Sequence, residues 1–204
     1  MSGHKIIINH LLWRIGFRDV LPGAVVNCKR IEECGEPLKK YKGVSLRQGV
    51  IERLKLAESK LPSGISIKIL SGFRPLSEQK KLWNAEIKKL KKQFPAAGAD
   101  ELKRRARARV ADPEGGGGGH QTGGAIDVTL VDARGRELDM GGGYLKFDVR
   151  TPTKAINNSN RKILRRAMIA AGFINYPREW WHYSYGDKIW AAYGRKSHAI
   201  YGTV

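Results

Sequence analysis

Two well-separated stretches of this chain hold residues whose types could do hydrolytic chemistry. One is Gly118-Gly-His-Gln-Thr-Gly-Gly-Ala-Ile-Asp127, which carries His120 and Asp127. The other is Glu179-Trp-Trp-His182. Together they supply two imidazoles, one ligating carboxylate and one spare carboxylate. That is the inventory of a catalytic zinc site: three protein ligands, a fourth position open to water, and a base beside it. Each half alone is weak, because Glu-x-x-His arises by chance and His120 could decorate a loop. Asp127 sharpens the case. It lies within the apolar run Ala125-Ile-Asp-Val-Thr-Leu-Val131, where an unpaired carboxylate is costly to bury and a cation beside it is the simpler account.

The elements that must position these residues are legible from periodicity. Residues 44–61 read as an amphipathic helix, with Leu46, Val50, Ile51, Leu54, Ala57 and Leu61 at helical spacing. Pro62-Ser-Gly64 breaks it. Ile65, Ile67 and Ile69 alternate with polar residues, which predicts a half-buried strand. Arg74 follows it, held extended by Pro75. Helices are expected from Ser77 to about Lys92 and from Asp100 to about Val110. The glycine run at 115–119 is loop by composition. A strand at 125–131, a hairpin turn at 132–135 into residues 136–140, a helix at 159–171 ended by Gly172, and a strand at 180–185 complete the reading. Residues three apart on a strand face opposite sides, so Glu179 and His182 share one metal only if Glu179 lies just before the strand. The expected fold class is α+β: a single domain over residues 1–204, with a small, mainly antiparallel sheet flanked by helices and zinc in a cleft. Residues 1–30 form an N-terminal extension of uncertain structure.

The chain has 204 residues, 41% of them apolar, and a formal net charge of +19. It is long enough for a sizeable core, and no stretch approaches the roughly 18 apolar residues of a membrane span. The N-terminus lacks a secretory pattern. The cytoplasm is therefore the expected compartment, or the periplasm or wall if the N-terminus has been trimmed. Cys28 and Cys34 lie outside any metal-ligand pattern and read as free thiols. Lys88, Lys89, Lys91, Lys92, Lys103, Arg104, Arg105, Arg107 and Arg109 crowd one stretch. They form either a solvated helical face or a contact for an anionic partner such as cell-wall polymer. The stretch has no interleaved aromatics, which disfavours nucleic acid.

Beyond the two metal half-sites, several further segments follow in collinear order. They are Cys34-Gly-Glu-Pro-Leu38, Ser71-Gly-Phe-Arg-Pro-Leu76 with Gln79 and Trp83, Ala111-Asp-Pro113 and Leu138-Asp-Met-Gly141. Asn160-Arg161, Ala167-Met168, Ala171-Gly-Phe173, Asn175-Tyr-Pro177 and Tyr185-Gly-Asp187 complete the series. With them the chain, from about residue 31 on, resembles the D-alanyl-D-alanine dipeptidase family of zinc peptidases. The resemblance implies one Zn2+ per chain, held by His120, Asp127 and His182. It implies Glu179 as the general base, serving the attacking water and then the leaving amine. Arg74 would stabilise the oxyanion, and Asp148 would hold the substrate's free ammonium. Gly118 stands where the family often has serine. Plainer roles are a Glu179 pair with Arg178 and a structural ion pair for Arg74. Trp180 and Trp181 read as packing residues, and His4, His10 and His198 as surface residues.

The expected activity is hydrolysis of D-alanyl-D-alanine or a related D-amino-acid dipeptide. The alternatives are a peptidoglycan D,D-carboxypeptidase or endopeptidase with the same zinc site, and a non-catalytic binding protein on a peptidase scaffold. A closed pocket around the substrate's amino end would favour the dipeptide. An open groove would favour longer stems.

Overall fold

A computed structural model describes residues 37–114 and 118–204. Cys28, Cys34, His4, His10 and the expected N-terminal extension lie outside the described residues. The chain divides into two compact units. Among the described residues, one contains 75–114 and 118, and the other contains 37–74 and 119–204. The α+β expectation holds. No helix among the described residues is long and apolar enough to cross a membrane.

The larger unit opens with a hairpin of β1 (Leu38–Tyr41) and β2 (Val44–Arg47). Lys42 and Gly43 both have positive φ, 47° and 87°, the backbone that matches a two-residue turn to strand twist. This hairpin corrects the expected helix at 44–61. Val44–Arg47 pair with β1, so helix α1 runs only from Gln48 to Glu58. Its buried residues Val50, Ile51, Leu54 and Ala57 keep the spacing read from the sequence.

The main sheet is antiparallel, with β3 (Ile65–Ser71), β4 (Ala125–Asp132), β6 (His182–Ser184) and β5 (Ile174–Asn175) in that spatial order. Ile126, Val128 and Leu130 alternate on one face of β4 and are fully buried in the main core with Leu46, Val50, Leu54, Leu164 and Met168. Asp127 and Thr129 therefore share the opposite face. The hairpin after β4 forms, but its second arm is reduced to a bridge between Val131 and Glu137. Helix α4 (Ser159–Ala170) starts where the Asn158 side chain accepts from the Arg161 amide. It ends before Gly172, at φ 91°. The last strand is shorter than expected, because Trp180 and Trp181 belong to the approach. A short helix α5 (Lys188–Tyr193), capped by Asp187, was not expected.

The smaller unit holds α2 (Leu76–Gln93) and α3 (Ala99–Ala106). Trp83, Leu90, Leu102 and Ala106 form its core. The second helix stops short of Val110. Beyond it, Arg107 pairs with Asp112 at 3.0 Å and Arg109 with Glu86 at 2.8 Å. Lys80, Lys81, Lys88, Lys91 and Lys92 are exposed along α2.

Truncating Leu130, fully buried at the centre of β4, leaves a cavity in the core. Leu130→Ala is expected to cost about 2–5 kcal/mol of stability, read as a lower urea midpoint at unchanged slope.

Candidate metal centre

Asp127 and His182 are direct register partners across β4 and β6, so their side chains leave the sheet on one face. His182 Nδ1 lies 3.0 Å from Asp127 Oδ1. His120 arrives from a different element, a 3-10 turn over Gly119–Thr122. Its Nδ1 sits 2.7 Å from the Gly72 carbonyl oxygen. Donation there orients the ring and turns Nε2 toward Asp127 Oδ1, at 3.4 Å. All three residues are buried, and their donor atoms lie within 4.8 Å of one another.

Zinc bonds of about 2.0–2.2 Å put tetrahedral donors roughly 3.3–3.6 Å apart. The separations here fit such a cation with small adjustments. Two neutral imidazoles and one carboxylate also suit it chemically.

The turn bearing His120 is tightly held, unlike the loose loop its glycines suggest. Arg47 is fully buried beneath it. Its Nε donates to Thr122 O at 2.7 Å, and its guanidinium lies 5.3 Å from the Tyr201 ring centroid. A Cβ at Gly119 would collide with the Asp187 carboxylate and Ala125, so only glycine fits. Sequence reading missed Arg47, since nothing in its local pattern marks a buried guanidinium.

Glu179 lies in the turn before β6, where its amide donates to Tyr176 O at 3.0 Å. Its Oε2 stands 4.0 Å from His182 Nδ1, and only 14% of its side chain is exposed. This places it beside the three donors without joining them. Arg74 follows β3. Its amide donates to His120 O at 3.1 Å, and its Nη2 to Ser71 Oγ at 3.3 Å. Asp148 is exposed, and Arg150 Nη2 binds its Oδ2 at 2.6 Å. That guanidinium holds the Asp148 carboxyl below the usual range. Trp180 and Trp181 are buried packing residues, and His198 is exposed.

Two further residues join the site without any sequence signal. Tyr144 donates its hydroxyl to Asp127 Oδ2 at 3.0 Å. Ser184 Oγ lies 3.4 Å from His182 Nε2. Tyr144 comes from a glycine-rich segment with no periodicity, so its direction could not be read.

Burial alone would raise the Asp127 pKa. The charges and hydrogen bonds of His120 and His182 outweigh it and hold the carboxyl far below its ordinary value. His182 shows the converse. Burial opposes its charge, but the hydrogen bond and charge of Asp127 outweigh that and raise its pKa.

The metal-free chain thus carries a proton on His182 to higher pH than an ordinary histidine, and a metal must displace it. Affinity for a divalent cation should therefore be constant above the raised His182 pKa. It should fall below that pKa, by about tenfold per pH unit for each proton released. Competition with a chromogenic chelator between about pH 8 and 6 measures this. A flat profile would contradict the assignment of His182 as a ligand.

Comparison with known proteins agrees with this geometry. A D-alanyl-D-alanine dipeptidase of Synechocystis is 35% identical over 107 residues, 42% of this chain and 43% of that protein. The enzyme of the same name from Escherichia coli is 29% identical over 133 residues, 59% of this chain and 55% of its own. The chain spans about half the length of the curated relatives it matches. Among solved structures, the vancomycin-resistance D,D-pentapeptidase VanY in complex with Zn(II) has a TM-score of 0.53 at 18% identity, covering 81% of this chain and 87% of its own. VanYB in complex with D-alanine-D-alanine gives 0.53 at 20% identity, with 81% and 86% covered. At this identity the likeness is one of fold. Residues 47–199 match the Peptidase M15 family, described as D-Ala-D-Ala dipeptidase, and the chain belongs to that family.

Proposed function

We propose that this chain is a zinc peptidase that hydrolyses the bond between two D-alanines, in free D-alanyl-D-alanine or a related D-amino-acid dipeptide. The observation that carries the reading is the convergence of three buried donors with a fourth, sheltered carboxylate 4.0 Å from one of them. Family membership and the Synechocystis and E. coli relatives support it.

His120, Asp127 and His182 would hold the metal. Bound zinc supplies a Lewis acid that polarises the scissile carbonyl and makes water more acidic. Glu179 would take a proton from the attacking water and return it to the leaving amine. Its sheltered position beside His182 suits a base that must pass a proton on. Arg74, a permanent cation whose amide is bonded to His120 O, would bind the oxygen that gains charge. With a divalent metal bound, Asp127 would supply one negative charge against the metal's two and leave the site cationic.

The Asp148–Arg150 pair supports a second reading. To hold a dipeptide's free ammonium, Asp148 would have to leave its guanidinium partner. An enzyme that makes no such contact would accept stems extended on the amino side, as a D,D-carboxypeptidase or endopeptidase does.

Zinc-loaded protein is expected to release free D-alanine from D-alanyl-D-alanine. Glu179→Ala should lose about 10²–10⁴-fold in kcat while binding zinc normally. Turnover of an amino-blocked stem pentapeptide, with none of the dipeptide, would replace the first reading by the second. Turnover of neither would remove both.

Stripping the metal with a chelator is expected to abolish activity, and zinc to restore it. Asp127→Ala should not be restored at the same zinc concentration. Full activity in the chelated protein would rule out metal-assisted hydrolysis.

A further inference from the structure

The carboxylate of Asp127 has two oxygens with different tasks. Oδ1 faces both imidazoles, while Oδ2 accepts the Tyr144 hydroxyl at 3.0 Å. The terminal torsion of an aspartate is broad, so nothing within Asp127 keeps these roles apart. Without a donor on Oδ2, the carboxylate could turn or offer both oxygens to a cation and take up the position needed for water.

Tyr144 is itself braced. Its ring meets Trp181 edge-on at 5.4 Å between centroids, and Phe147 meets the same indole at 5.8 Å. Trp181 is fully buried and immediately precedes His182, so the phenol is fixed against the strand that carries a ligand. Gly141, at φ 69°, starts the turn that brings it there. Ser71 is the register partner of Asp127 across β3 and β4. Ser71 Oγ in turn accepts from Arg74 Nη2 at 3.3 Å. Arg74 is thereby bonded to the strand residue paired with Asp127, and Tyr144 to Asp127 itself.

We propose that Tyr144 is a positioning residue that keeps Asp127 a one-oxygen ligand, and that Ser71 ties the guanidinium of Arg74 to the same frame. The proposal rests on the zinc reading above, and its test separates the two. A phenol carries its proton at neutral pH and can donate to Oδ2. Phenylalanine keeps the ring on Trp181 and removes only that bond. Ser71→Ala cuts the branch to Arg74 and leaves the bond to Asp127.

The zinc dissociation constant is measured by chelator competition for wild type, Tyr144→Phe and Ser71→Ala, with circular dichroism and melting of the metal-free proteins as the fold control. Removing an outer partner of a metal ligand typically costs about 10–100-fold in affinity, and that weakening is expected for Tyr144→Phe. Ser71→Ala should bind zinc as wild type does, and on D-alanyl-D-alanine should lose kcat with little change in KM. Wild-type zinc affinity in a folded Tyr144→Phe overturns the role of Tyr144. If Tyr144→Phe does not fold, weakened zinc binding by Ser71→Ala overturns the division of labour, and normal binding with reduced kcat supports it. If wild type turns over no D,D-peptide, the functional reading fails, but the zinc comparison still decides on Tyr144. Absence of zinc binding by wild type overturns both.

Discussion

The structure turns on one buried carboxylate. Asp127 sits in the middle of a sheet, only 3% exposed, where an unpaired charge costs several kcal/mol. Two imidazoles face one of its oxygens and a phenol faces the other. These partners come from the turn at 119–122, from β6 and from the loop after Gly141. Compensating a single charge thus requires three separate segments to meet. The same requirement makes the place fit for a cation, which would meet the carboxylate and both imidazoles at once.

Sheet register turns this requirement into geometry. Asp127 pairs directly with His182, and Ser71 with Asp127 across a local irregularity in β3. Side chains alternate along a strand, so a slip of one residue in β6 would present Tyr183 in place of His182. Tyr183 prevents the slip. It pairs with Ile126 and lies in the same buried core as Ile126, Val128 and Leu130, and a slip would turn it out of that core. Hydrophobic burial on one face therefore sets the chemistry on the other.

The chain makes a long excursion, residues 75–118, between Arg74 and the turn that carries His120. The two ends of that excursion are bonded to each other. The Arg74 amide donates to His120 O at 3.1 Å, and Gln121 Nε2 to Arg74 O at 3.2 Å. Insertions are tolerated where their ends already lie together. Here the closure is made by the groups flanking the site, so the arginine and the first histidine stay in register whatever the length between them.

The sequence by itself determined the chemical inventory. His120, Asp127, Glu179 and His182 could be named because few residue types bind zinc or move its protons, and because a carboxylate in an apolar run demands a partner. The strands at 65–71 and 125–132 and the helices on α1, α2 and α4 were legible from periodicity, since each buries one face. The start of α1 was not, because Val44–Arg47 fit a helical stripe and a strand equally well and only pairing with Leu38–Tyr41 decided between them. The irregular segment at 141–158 had no period to read. Tertiary structure alone decided that Tyr144 reaches Asp127, that Asp148 is bound by Arg150, and that a buried Arg47 supports the His120 turn. These are contacts between residues 2 to 75 positions apart, whether near or far in the chain, and their directions come from backbone turns and packing that composition does not encode.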